Sequence, residues 1–156
     1  MVLFLLVASN RHNISAALNV PIRYDDFVFT ILSARVKGPK ATPTSDRKPA
    51  LSPYVVTLRI DNRAKRVSFQ FDENAPIVVD AKGRMFHLSQ EARRAHERSV
   101  GGTNPTARSL PPGTSVTKDL VFEVPEDFGR PKMKTGQGLG DILETVLFGQ
   151  KQFLLP

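Results

Sequence analysis

The 156-residue chain has no cysteine and only three histidines, His12, His87 and His96. The first absence excludes disulfides, thiolate metal sites and a cysteine nucleophile, and it leaves the redox compartment open. The second leaves little for zinc, which needs at least three convergent ligands; His87, Glu91 and His96 would have to fold back on one irregular segment. There is no Gly-x-Ser-x-Gly elbow to expose a serine nucleophile and no nucleic-acid motif. The first apolar run, Val2 to Ala8 (VLFLLVA), is seven residues long, whereas a membrane-spanning helix needs about 20. Glycine and proline, 10 and 12 residues, are too few for a low-complexity chain. What is present, 40% apolar residues in a chain of this length, suits one domain with a packed core.

Lysine and arginine outnumber aspartate and glutamate by 22 to 15, a net charge of +7. The excess is scattered: Arg35, Lys37, Lys40, Arg47 and Lys48 flank a proline-rich stretch, Arg63, Lys65 and Arg66 sit at a turn, and Arg130, Lys132 and Lys134 form a third group. None is interleaved with the aromatics that stacking on single-stranded bases requires. The pattern reads as a solvated surface, and nucleic acid is not an expected partner.

Val2–Ala8 matches the apolar region of a signal peptide, and Val7-Ala8-Ser9 offers small residues for cleavage, but no Lys or Arg precedes it. Two readings stand: a chain that begins inside a longer signal or anchor, or a buried first strand. Residues 1–19 are assigned to this apolar segment and a linker, and 20–156 to the domain.

From there the apolar period is mostly two, the mark of half-buried strands. Residues 27–36 are apolar on both faces. Residues 38–53 carry four prolines without a period and read as a loop or crossover. Tyr54, Val56, Leu58 and Ile60 then point one way, with Val55, Thr57, Arg59 and Asp61 opposite, up to the turn former Asn62. Val67, Phe69 and Phe71 alternate with polar residues. Ile77–Val79 turns through Asp80 to Gly83 into Met85–Leu88, with Gly83 suited to positive φ. After the turn Leu110-Pro-Pro-Gly113, residues Val116, Leu120, Phe122 and Val124 share a face with Lys118, opposite Thr117, Asp119 and Glu123, until Pro125. Phe29, Ile31, Val56, Leu58, Val67, Phe69, Phe122 and Val124 are the expected buried set. Ser89 to Arg108 is polar; Ser89 could cap a short helix, but only Ala92 and Ala95 would face a core, so a surface excursion is expected. Leu139, Ile142, Leu143, Val146 and Leu147 follow helical spacing and predict a short C-terminal amphipathic helix ended by Gly149, before a last strand carrying Phe153 and Leu155.

The sum is an all-β, immunoglobulin-like antiparallel β-sandwich of about seven to eight strands with one short C-terminal amphipathic helix. The order Tyr54 to Asn62 (YVVTLRIDN), Val79 to Arg84 (VDAKGR) before an aromatic, Leu110 to Gly113 (LPPG) and Leu120 to Pro125 (LVFEVP) resembles the telokin-like, immunoglobulin-like domains of bacterial extracytoplasmic proteins and lipoproteins, over about residues 24 to 125. The resemblance implies a secreted or membrane-tethered, non-catalytic domain with no catalytic residues to carry over, although the lipoprotein cysteine is absent.

Candidate sites follow from residue type. Asp61 and Asp80, placed at one end of the sandwich by the run of the strands, form the best oxygen set for calcium, against a simpler role as turn-forming Asx residues. Gly136-Gln-Gly138-Leu-Gly140 lacks the Lys-Ser/Thr ending of a phosphate-binding loop and reads as a flexible linker. No cofactor is expected. Arg93, Arg94, Arg98 and Arg108 would recognise a small ligand or anion. The stripe Leu139, Ile142, Leu143, Val146 and Leu147 would meet a protein partner. The leading functional reading is an extracytoplasmic interaction module near a membrane; the alternative is a soluble sandwich that binds an anion through its Arg-rich loop.

Overall fold

The computed structural model describes residues 14–37, 51–72, 75–102, 109–129, 131–134 and 151–155. Alternation is longest in two segments, and these become the longest strands. β3 (Phe27–Val36), β4 (Leu51–Asn62) and β9 (Ser115–Pro125) lie side by side and antiparallel, with β2 (Ile22–Tyr24) beside the first half of β3. In-register rows put Val36, Tyr54 and Phe122, then Ala34, Val56 and Leu120, on one face of this sheet. A register shift between Ile31 and Ser33 lets β3 keep Ile31 and Ala34 both buried.

The second sheet is built from short strands in the order β1 (Ile14–Ala16), β11 (Lys151–Leu154), β10 (Lys132–Lys134), β6 (Ile77–Val79) and β7 (Met85–His87). All its pairs are antiparallel except β1 with β11, which are parallel. Thus Ile14–Ala16, which the sequence places in a linker, forms a strand of the second sheet. Phe69–Gln70 (β5) and Ser109–Leu110 (β8) pair as a small third ladder. Among the described residues there are eleven strands rather than the seven or eight expected, because most of the second sheet is made of three-residue pieces that leave too few residues for a period to show.

The core lies between the two large sheets. Ile31, Tyr54, Val56, Leu58, Ile60, Leu120, Phe122 and Val124 from one meet Val78 and Met133 from the other in a single buried cluster. Phe128, beyond β9, closes the cluster at one end, stacking edge-on against Tyr54 and Phe86 with centroids 5.0 and 5.2 Å apart. Phe69 groups with Phe27, Phe29 and Phe71. Lys118 also faces inward, in register with Leu58, and its ammonium lies 4.7 Å from the Phe71 ring centroid. Val67 departs from the expected buried set. It precedes β5 in irregular chain and is 60% exposed, because the regular alternation begins only at Phe69.

The polar stretch after Leu88 is not an irregular excursion. Gln90–Val100 forms α1, capped by Ser89, whose Oγ accepts from the Ala92 N–H at 3.2 Å, and closed by Gly101 at φ 64°. The helix lies on the outer face of the first sheet, where Ala92 packs on the register pair Val55 and Val121. Ala95, the other expected core contact, is exposed, and His96 is buried in its place. Ala92 and His96 are the buried residues of the helix. Ser89→Ala removes the cap together with the 2.6 Å hydrogen bond that the Ser89 hydroxyl donates to Glu123. It is expected to destabilise the domain by about 1 kcal/mol, with faster amide exchange confined to the first turn of α1. The predicted C-terminal helix carrying Leu139, Ile142, Leu143, Val146 and Leu147 lies outside the described residues, as does the Val2–Ala8 segment.

Candidate functional site

The outer face of the first sheet carries polar residues at alternate positions, and α1 closes over one end of them. Ser33, Thr57 and Asp119 come from three adjacent strands and occupy one row across β3, β4 and β9. The Ser33 hydroxyl donates to Thr57 Oγ1 at 3.0 Å, and Thr57 donates in turn to Asp119 Oδ1 at 2.8 Å. The second Asp119 oxygen meets His96 Nε2 at 2.9 Å, and His96 Nδ1 meets Lys37 Nζ at 3.1 Å. Two hydroxyls, a carboxylate, an imidazole and an ammonium therefore form one chain of contacts, with the imidazole 7% exposed. Here Thr57 donates to the carboxylate and Ser33 to Thr57, with the histidine on the other carboxylate oxygen, so the order differs from a nucleophile, base and orienting acid.

Sequence reasoning placed Thr57 and Asp119 on outward faces but had no register to join them. It set Lys37 at a linker and His96 in an excursion. The usable signal was the pairing of Ser89 with Gly101, a cap and a stop separated by a helix length.

The calcium candidates are not brought together. Asp61 is in register with Ser115 at the start of β9, whereas Asp80 is tied through Arg84 to Asp127, just past the other end of that strand. The length of β9 between them is roughly 33 Å at about 3.3 Å per residue. The hairpin from β6 to β7 returns Asp80 to the far end because β6 pairs with β10 in the second sheet and not beside β4.

Each carboxylate is also occupied. Asp61 accepts from Arg59 and from the Ser115 hydroxyl, and Arg63 acts on it through its charge. Asp80 accepts the Lys82 and Arg84 N–H groups at 2.9 Å each, an Asx turn that leads the chain through Gly83 at φ 79°, and its other oxygen takes the Arg84 guanidinium at 2.8 Å. Arg84 and Lys82 both reach Asp127. Among the described residues no group of three or more His, Asp or Glu side chains is placed to hold a metal ion.

Burial pushes the Asp80 carboxyl upward, but the Arg84 N–H, its guanidinium and the Lys82 N–H together hold it below its ordinary value of 3.8. Burial likewise pushes Asp61 up, and hydrogen bonds from Ser115 and Arg59 overcome it. Hydrogen bonds from Lys82 and then Arg84 lower Asp127. A carboxylate depressed in the folded state contributes stability above its unfolded value, and that contribution is lost as pH falls through the folded value. Stability is therefore expected to drop below about pH 4, and Asp80→Asn to flatten that acid limb in urea melts taken across the range.

The arginines of the anion reading do not converge. Arg93 is half-buried beside Glu97 at 3.5 Å, while Arg94 and Arg98 are exposed one turn apart, the Arg98 Nε donating to the Arg94 carbonyl. Arg108 lies outside the described residues.

No family model and no curated protein matches the chain. Solved structures do. The secreted protein MPT63 from Mycobacterium tuberculosis superposes with a TM-score of 0.59 at 12% identity, over 92% of this chain and 98% of that one. The fold is a β-sandwich. The yjhA protein from Bacillus subtilis gives 0.57 at 12% identity over 90% and 99%, and an uncharacterized β-sandwich protein from Clostridium difficile gives 0.52 at 9% over 94% and 96%. At these identities the likeness concerns the fold alone.

Proposed function

We propose that this β-sandwich is a non-catalytic, immunoglobulin-like extracytoplasmic interaction module, of the telokin-like kind that its motif order resembles, held near a membrane. The observation that supports it most is the near full-length match to a secreted protein of the same architecture. The chemistry of the described surface agrees with a binding role. Three of its carboxylates, Asp61, Asp80 and Asp127, are engaged in turn and ion-pair networks with Arg59, Ser115 and Arg84, and such groups hold a scaffold together better than they serve as free acids or bases. The partner contact we assign to it is the apolar stripe Leu139, Ile142, Leu143, Val146 and Leu147, since five apolar residues at helical spacing in the sequence would each contribute about 1.5 to 3 kcal/mol if fully buried.

Placement is tested by adding protease to intact host cells. Digestion of the domain while cytosolic proteins survive is the expected result, and full protection until the cells are lysed overturns extracytoplasmic placement. The binding role is tested by cross-linking the purified full chain and comparing it with Leu143→Asp. Loss of self-association, or of stability, supports the stripe; no change in either removes it from the reading.

A further inference from the structure

The ring of His96 lies between groups of opposite charge, and that arrangement fixes where its proton sits. An ammonium has three donors and no lone pair, so the 3.1 Å contact with Lys37 Nζ requires His96 Nδ1 to accept. The ring proton is then on Nε2, where it is donated to Asp119 Oδ2 at 2.9 Å. Thr57 donates to the same carboxylate and Ser33 donates to Thr57, so donation converges on Asp119 from both sides. We propose that Lys37, His96 and Asp119 form an acid-released latch, which fastens the end of β3 to α1 while His96 is neutral and frees it when His96 takes a second proton.

The second proton can go only to Nδ1, the ring's remaining lone pair. There it turns an acceptor into a donor that faces another donor, and puts two positive charges at contact distance beside a buried ring. Lys37 can yield, because it is half-buried and its four-carbon stem can carry the ammonium to water. Asp119 does not yield, since a charged imidazole binds the carboxylate more strongly than a neutral one. The helix therefore stays docked through Asp119, Ala92 and Val121, and the freed element is the end of β3, where the Lys37 N–H is bonded to the Pro53 carbonyl at 2.8 Å.

Other charged and polar groups stand on the elements that carry these three residues. On α1 itself Arg93 lies beside Glu97, and the Ser99 hydroxyl donates to the His96 carbonyl. On β9, Glu123 accepts from Ser89. On β3, Arg35 is exposed and in register with Val55.

The test follows the full chain by nitrogen-15 NMR from about pH 8 to about pH 5, the interval in which imidazoles titrate. At the upper end the His96 ring is expected as the neutral tautomer protonated on Nε2. As the ring takes its second proton, the amides of Arg35 to Lys37 should shift with the same midpoint, and exchange of the Lys37 amide should rise by about tenfold, while the α1 amides stay protected. In His96→Gln, which keeps both hydrogen bonds but cannot charge, that response should vanish. In Lys37→Met the ring still titrates and the Arg35 to Lys37 amides no longer follow it. An Nδ1-protonated tautomer at pH 8, no response in the native chain, or the same response in either variant overturns the latch. Should His96→Gln fail to fold, the Lys37→Met comparison decides alone.

Discussion

Truncating Phe122 to alanine is expected to remove about 3 to 5 kcal/mol of stability, a third or more of what a domain of this size commonly has. Phe122 is fully buried and sits in the middle of β9, in register with Tyr54 and bridged to Leu88. Its ring is part of the layer in which the first sheet meets Val78 and Met133 of the second. The neighbours that would have to move inward belong to two sheets whose hydrogen bonds hold them apart, so the cavity closes poorly and the loss falls in the upper part of the range for buried side chains. Urea unfolding should show a lower midpoint with an unchanged slope. Val67→Ala, at an exposed position that alternation assigned to the core, is the matching control and should change stability by no more than about 0.5 kcal/mol. A Phe122→Ala loss below about 1 kcal/mol would mean that the two sheets do not enclose this ring.

The contrast between these two positions shows what a period of two can carry. Within β4 and β9 the alternation runs over Tyr54 to Asp61 and Val116 to Val124, and it assigned Tyr54, Val56, Leu58, Ile60, Leu120, Phe122 and Val124 to the inner face, where they are buried. At Val67 the same alternation covered a few residues and extrapolated through irregular chain. The helix α1 was hidden for the opposite reason: its buried face is only Ala92 and His96, too little for a helical period, and the apolar partners Val55 and Val121 belong to strands on which they look like ordinary outward positions. The polar row was half legible. Thr57 and Asp119 could be given a face from the sequence, but only strand pairing aligns them with Ser33, and only the folding back of α1 brings His96 and Lys37 to the end of that row. Asp61 and Asp80 failed on topology, since the β6 to β7 hairpin belongs to the other sheet. Position along a strand is a local property; which sheet a hairpin joins is not.

Asn62 looked in the sequence like a turn former at the end of a strand, and its replacement should have an effect close to that of Phe122. It is 2% exposed. Its amide nitrogen donates to the carbonyls of Val67 and Leu110 at 2.8 and 2.9 Å, and its amide oxygen accepts the Ala64 N–H at 3.0 Å. Its own backbone joins the turn around Gly113 and Thr114. One side chain thus fastens the end of β4, the irregular run before β5 and the end of β8. Asn62→Ala leaves three backbone groups without their partner, each costing about 1 to 3 kcal/mol if it stays dry. Because water can reach some of them through the gap, a total of about 3 to 4 kcal/mol is expected. Asn62→Asp separates the hydrogen bonds from the shape. The carboxylate can still accept from Ala64, but it turns an oxygen toward two carbonyls that need a donor, so at pH 7 this variant should be no more stable than Asn62→Ala. Protonation restores one donor, so the new carboxyl has its pKa raised above the unfolded value by folding. Its penalty is therefore full at neutral pH and shrinks as pH falls through the folded value toward about 4. That sign is opposite to the one set by Asp61, Asp80 and Asp127, whose contribution fades on acidification. Urea midpoints of Asn62→Asp measured against the native chain should converge as the pH is lowered from 7. A constant difference, or native stability at pH 7, would show that the Asn62 amide does not hold these carbonyls.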